Sequence, residues 1–169
     1  MRRPDKNEYA PFYEGYVNDV IGNDPLRNLE NQYQEIQSLL QSLPDVEASY
    51  AYSEGKWSVK EVLGHMIDTE RIMCYRALCI SRKEKQSLPG FEQDDYVKES
   101  NFRDRTITNL LDDYRISRKS TISLFKNFTE EMLNQKGMAN HKEISVLALL
   151  YIIAGHEMHH LKILKEKYL

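Results

Sequence analysis

The chain has 169 residues, enough for one domain with a sizeable core, and its 41% hydrophobic content with interspersed charges excludes a disordered protein. A formal net charge of −3 and a pI near 6.0, with no block of lysine or arginine, exclude the basic footprint of a nucleic-acid binder. No apolar run approaches the ~20 residues that span a bilayer, and no hydrophobic signal region follows Arg2-Arg3, so the expectation is a single cytoplasmic domain over residues 1–169 with no membrane partner.

Residues 1–22 are rich in aromatic side chains, Tyr9, Phe12, Tyr13 and Tyr16, and are expected to pack across whatever follows. Asn23-Asp24-Pro25 then supplies a cap residue and a proline suited to a first helical turn. Leu26, Leu29, Tyr33, Ile36, Leu39 and Leu40 carry that helix to about Leu43, and Pro44 ends it. A second helix opens at Ser58-Val59-Lys60-Glu61, a capping box in which serine and glutamate satisfy each other's free amides, with Trp57 before it as a hydrophobic staple. It runs through Val62, Met66, Met73 and Ala77 to about Arg82. Its two cysteines, Cys74 and Cys79, lie roughly 140° apart around the axis, which rules against a mutual disulfide and reads as two small core residues in a reducing compartment.

Residues 83–105, with Leu88-Pro89-Gly90-Phe91 and then Glu92-Gln93-Asp94-Asp95-Tyr96, read as a loop with one short helical turn, long enough to cover a pocket. A third helix runs from about Thr106 to Phe128 through Ile107, Leu110, Leu111, Tyr114, Ile122, Leu124 and Phe125, and a fourth from Ser145 to about Lys167. Four long helical patterns with few strand signals predict an all-α four-helix bundle.

Three of the five histidines crowd into His156-Glu157-Met158-His159-His160. His156 and His160, four apart, stack two imidazoles on one side of a helix, so a third from a neighbouring helix completes a metal site. With Val146 at zero on a helical wheel, the apolar face centres near 0°, His156 and His160 fall at roughly 280° and 320°, and His159 falls near 220°, toward the polar side. On the second helix, measured from Val59, His65 lies at roughly 240° with Thr69 and Arg76 nearby. His65, His156 and His160 are therefore the candidate ligands. Three neutral nitrogen donors leave coordination positions free for water or substrate, which is a catalytic rather than a structural geometry. The competing reading makes the last-helix histidines surface or helix-end residues.

Glu70 and Glu157 both fall at roughly 20°, mid-face, where a carboxylate needs a partner. Each is either a buried acid bonded to a tyrosine, arginine or backbone amide, or a group that orients an imidazole or moves a proton. No Ser/His/Asp order, phosphate-binding glycine loop or CxxC is present.

Lys56-Trp57-Ser58-Val59-Lys60-Glu61-Val62-Leu63-Gly64-His65, Asp68-Thr69-Glu70-Arg71, Leu88-Pro89-Gly90-Phe91 and Gly155-His156-Glu157-Met158-His159-His160-Leu161 together resemble the DinB/YfiT-like metalloenzyme superfamily over nearly the whole chain. The resemblance implies a four-helix bundle, commonly a homodimer, with a divalent metal held by His65, His156 and His160 and with His159 outside the ligand set. Zinc or nickel is the expected ion. Relatives include S-transferases that join a low-molecular-weight thiol such as bacillithiol to an electrophile, and thiol-dependent maleylpyruvate isomerases. A shared fold does not choose among chemistries. The leading expectation is a metal-dependent thiol S-transferase or related detoxifying enzyme acting on a small molecule; a metal-dependent hydrolase and a noncatalytic metal-binding stress protein are the alternatives.

Overall fold

The computed structural model describes residues 1–169. The aromatic start passes through two single 3-10 turns, Lys6–Glu8 and Pro11–Tyr13, into a short helix α1 (Glu14–Asp19). In chain order there follow α2 (Pro25–Leu40), α3 (Asp45–Ala48), α4 (Val59–Ser81), α5 (Gln93–Lys98), α6 (Ile107–Lys126), α7 (Glu130–Asn134) and α8 (Val146–Lys167). The four long ones, α2, α4, α6 and α8, form the bundle.

Each long helix starts at a side chain that satisfies an amide of its own first turn. Asp24 accepts from the Arg27 N–H at 3.0 Å, Thr106 from Asn109 at 3.1 Å and Ser145 from Ala148 at 2.9 Å. Ser58 and Glu61 make the reciprocal box, and Arg103 donates to the second Glu61 oxygen at 2.7 Å, tying the 3-10 turn Phe102–Asp104 to the start of α4. Helix α2 stops at Leu40 rather than Leu43, because the Leu43 N–H bonds back to the Leu40 carbonyl and tightens the last turn before Pro44.

Two elements between α6 and α8 lie outside the sequence expectation: α7, and an antiparallel hairpin of β1 (Lys136–Ala139) and β2 (Lys142–Ser145). The hairpin turns on Asn140-His141, both at positive φ (49° and 59°), the backbone of a two-residue turn whose twist matches paired strands. Strands of four residues are too short for alternation to announce them. Leu88 adds to the edge of β1 by donating to the Met138 carbonyl and accepting from the Asn140 N–H, both at 2.9 Å, which anchors the 83–92 loop over the bundle.

Helix α8 is buried on all sides from Val146 to Glu157, because α1 covers the face that a simple bundle would leave open; only beyond it are His159 and Lys162 exposed. The apolar core is divided into two clusters. One holds Leu29, Met73, Ala77, Phe125 and the first turns of α8; the other holds Ile36, Leu63, Met66, Ile67, Leu110, Tyr114, Leu161 and Leu164. Between them every long helix contributes buried polar residues: Gln32, Thr69 and Glu70, Arg118, and His156, Glu157 and His160. No helix is long and apolar enough to cross a membrane.

Candidate metal centre

His65, from the second turn of α4, meets His156 and His160, from successive turns of α8, and all three are buried. His156 Nε2 lies 3.0 Å from His65 Nε2 and 3.1 Å from His160 Nε2, and one ring nitrogen from each residue lies within 4.8 Å of the others. A neutral imidazole nitrogen carries either one N–H or one lone pair in the ring plane, so His156 Nε2 makes a hydrogen bond to one neighbour only. The other contact sets like against like unless a cation sits among the three. The donor set thus fits a divalent ion: three neutral imidazoles of borderline softness, converging through the same atom.

Burial keeps them neutral. Desolvation lowers His65 to about 4 and His160 to about 3, and lowers His156 well below the ordinary range, with His160 and His65 adding repulsion. His160 Nδ1 is buried with no partner.

A glycine precedes two of the three histidines. A Cβ on Gly64 would lie 2.3 Å from the Phe102 ring, and one on Gly155 would lie 1.8 Å from the Tyr16 carbonyl oxygen. These bare positions admit Phe102 against the backbone beside His65 and α1 against the backbone beside His156. Tyr16 then presents its ring edge-on to His156 with centroids 5.4 Å apart, and Trp57 lies against His65 at 4.7 Å. The Trp57 carbonyl accepts from the Tyr168 hydroxyl at 2.5 Å, so the end of α8 pins the residue that covers His65. His159 is exposed, in edge contact with Tyr16 and His160, and His141 sits in the hairpin turn.

Glu70 and Glu157 come together, but on Arg118. Its Nε and Nη2 donate to Glu70 at 3.0 and 2.9 Å, Nη1 to the Leu29 carbonyl at 2.8 Å and to Glu157 at 3.3 Å, and Nη2 also to Glu157. The Tyr114 hydroxyl donates to Glu157 as well. Burial is the largest influence on Arg118 and opposes its charge, yet the charge and hydrogen bonds of Glu70, with Tyr114 beside it, together hold the guanidinium pKa above its ordinary value. Both acids are buried, and their hydrogen bonds go to Arg118 and Tyr114 rather than to an imidazole. Arg118 was not singled out from the sequence, although Leu110, Tyr114, Arg118 and Phe125 fall within roughly 80° of one another on a wheel, which puts it on the core face.

Two cavities flank the histidines. One, of about 350 Å³, runs from His65 and His156 past Thr69 and Met73 to Arg76, walled by Tyr13, Tyr16 and Phe91. The other, of about 340 Å³, reaches His160 and is walled by Trp57, Tyr52 and Tyr168. Gln93 and Asp94 at the start of α5 border both, so the long 83–105 segment does cover pockets. Neither cysteine is bonded to the other, and burial pushes the Cys74 thiol up to about 12.

The sequence pattern of the DinB superfamily matches residues 28–164. A protein of Oceanobacillus iheyensis described as a candidate metal-dependent hydrolase is 28% identical over 143 residues, which are 83% of this chain and 81% of that one. Among solved structures, YfiT from Bacillus subtilis, described as a probable metal-dependent hydrolase with an unusual four-helix bundle topology, is similar with a TM-score of 0.75. The sequences are 15% identical over 94% of this chain and 91% of that one. The mycothiol-dependent maleylpyruvate isomerase is similar with a TM-score of 0.67 at 9% identity, over 90% of this chain but 62% of that longer one. These two likenesses are of fold.

Proposed function

The chain belongs to the DinB superfamily, and from that premise we propose that it is a metal-dependent enzyme whose ion is held by His65, His156 and His160, and that it transfers a low-molecular-weight thiol to an electrophile. The observation that carries the reading is the convergence of three buried, neutral Nε2 atoms, two pairs of them at 3.0 and 3.1 Å. Zinc or nickel suits such a set. A divalent ion bound by three imidazoles keeps a position for a further ligand and lowers the pKa of a thiol or water that reaches it.

The remaining parts are the chain's own. Two cavities, one reaching His65 and His156 and the other His160, give two reactants separate approaches to the histidine cluster, an arrangement that suits transfer between two substrates. The nucleophilic sulfur comes from a cosubstrate, since neither Cys74, which is engaged with Thr121, nor Cys79 lines either cavity at the histidines. Burial raises the Tyr13 and Tyr16 hydroxyls, so at neutral pH both hold their protons and present O–H donors to the cavity. In the transfer the sulfur bonds to the electrophilic carbon, the leaving group departs with its electron pair, and the thiol proton passes to solvent.

Protein purified without a histidine tag should contain close to one ion per chain by elemental analysis. With cobalt in place, bacillithiol or a simpler thiol should produce a sulfur-to-metal charge-transfer band. The thiol should be consumed with chlorodinitrobenzene, releasing chloride, only in loaded protein. No band with any of several biological thiols would remove the transferase reading. Hydrolysis is the second reading, favoured by the descriptions of the Oceanobacillus and Bacillus proteins; ester or amide cleavage that needs metal but no thiol would establish it.

A further inference from the structure

Two arginines are buried in this bundle, and the fold treats them in opposite ways. Arg118 is given two carboxylates. Arg76, 3% exposed, is given none: it donates to the Pro89 carbonyl at 2.6 Å, makes a weak 3.6 Å contact with the Met73 sulfur, and lies over the Phe91 ring at 5.8 Å. The Tyr13 hydroxyl is beside it. Counting the carbonyl, the sulfur and the hydroxyl as its hydrogen-bond acceptors, at least two of its five N–H groups have none in the protein. A desolvated guanidinium without a counter-charge is costly, and such groups are ordinarily paired.

Arg76 is a wall of the cavity that ends at His65 and His156. Thr69, 4% exposed and on the same wall, has a hydroxyl with no hydrogen-bond partner. His65, Thr69, Met73 and Arg76 recur at spacings of four, four and three, one stripe of α4 facing the cavity. About 16 Å of helix axis separates the Cα positions of His65 and Arg76. The opposite walls are aromatic: Phe12, Tyr13, Tyr16 and Phe91. Glu92 and Asp94 stand exposed at the mouth, where they disfavour a dianion, and a single unpaired cation matches a single negative charge.

We propose that Arg76 is a carboxylate receptor. The molecule that enters this cavity is elongated, with an apolar or aromatic body and one carboxylate that pairs with the guanidinium and accepts from the Thr69 hydroxyl. Its reactive end reaches His65 and His156. The placing of that reactive end rests on the metal-enzyme reading; the carboxylate site does not.

The test is calorimetric titration of the full chain, metal-loaded and again after metal removal, with benzoate and with its neutral counterpart benzamide, while the Arg76 Nε–H resonance is followed. Hydrogen bonds to a charged group predict benzoate tighter than benzamide by about tenfold or more in both forms, with a shift of the Nε–H signal. Arg76→Met should remove that preference and Arg76→Lys should keep part of it. Thr69→Val, which leaves the Pro89 anchor in place, should weaken benzoate by about fivefold. If Arg76→Met does not fold, the wild-type contrast, the Nε–H shift and Thr69→Val decide. Equal binding of benzoate and benzamide, or no saturable binding of benzoate, overturns the proposal. So does a preference that disappears with the metal or survives in folded Arg76→Met, and so does inorganic phosphate binding as tightly as benzoate. A chain that holds no metal yet shows the Arg76-dependent preference keeps this site and loses the enzyme reading.

Discussion

Replacing Arg118 with methionine tests the energetics of the polar layer directly. Arg118 is the largest fully buried side chain, and every one of its five N–H groups is used: two to Glu70, two to Glu157 and one to the Leu29 carbonyl. Methionine keeps most of the volume and adapts its shape, so packing changes little and the loss is electrostatic. Removing one partner of a buried charge set costs about 3–5 kcal/mol, because the other charges stay behind uncompensated, and the orphaned Leu29 carbonyl adds about 1–3 kcal/mol. The sum, ~4–8 kcal/mol, rivals the entire stability of a domain, which is about 5–15 kcal/mol. Arg118→Met should therefore be unfolded or nearly so in urea titrations followed by circular dichroism. Adding Glu70→Leu and Glu157→Leu should recover most of the loss, since well-packed apolar replacements of buried ion sets are often neutral. A loss below about 1 kcal/mol in Arg118→Met would refute the pairing. A triple variant no more stable than the single one would show that uncompensated charge is not the cause.

Removing the metal should make stability steeply pH-dependent. His65 and His160 are lowered to about 4 and about 3, and His156 well below its ordinary value, so the folded chain resists protons that the unfolded chain takes up near 6.5. The contribution is fully present above pH ~6.5 and is lost as pH falls toward 4, by up to ~4 kcal/mol per pH unit while three protons are involved; thermal melts from neutral pH to about 5 should show it, and a flat profile would contradict the burial of these rings. Elemental analysis should find His65→Ala and His160→Ala without stoichiometric metal and His159→Ala still loaded; full occupancy in His65→Ala would mean the ligand set is misassigned. Gly155→Ala puts a Cβ 1.8 Å from the Tyr16 carbonyl and should cost about 1–3 kcal/mol in a denaturant melt and weaken metal retention. Gly15→Ala, on the same helix as Tyr16 with nothing within 4 Å, should leave both unchanged or gain up to about 1 kcal/mol.

What was legible in the sequence followed from periodicity and capping. The four long helices start at Asp24, Ser58, Thr106 and Ser145 because each cap is a local arrangement, complete within four residues. The histidine bearings were legible for the same reason: wheel angles on two straight helices place His65, His156 and His160 inward and His159 outward, and the three rings do converge. The partner of Glu70 and Glu157 was not, because Arg118 approaches from a third helix and only packing brings it there. The hairpin escaped because four-residue strands carry no period and its turn uses Asn140-His141 in place of a glycine. The complete burial of the first half of α8 escaped because its outer cover is α1, a six-residue helix too short to read.

The polar layer explains why those three imidazoles meet where they do. A bundle of amphipathic helices with uniformly apolar seams tolerates sliding of one helix along another, since neighbouring turns offer similar contacts. Here α2, α4, α6 and α8 each carry a polar residue at one level, and Arg118 bonds to three of the four helices at once, through Leu29, Glu70 and Glu157. A slip of one turn, ~5.4 Å, would strand all of these charges in apolar surroundings. Glu70 is five residues beyond His65 on α4, and Glu157 directly follows His156 on α8. The contact that fixes the register of α4 against α8 thus fixes the height at which the two histidine-bearing turns face each other. Gly64 and Gly155 then set the lateral approach of Phe102 and α1 beside His65 and His156. The Arg118 set acts as a positioning device for the three histidines without touching them. A partial loss of that set, as in Glu70→Gln, should therefore lower metal affinity in protein that still folds, whereas Lys162→Ala, exposed on the same helix as His156 and His160, should not.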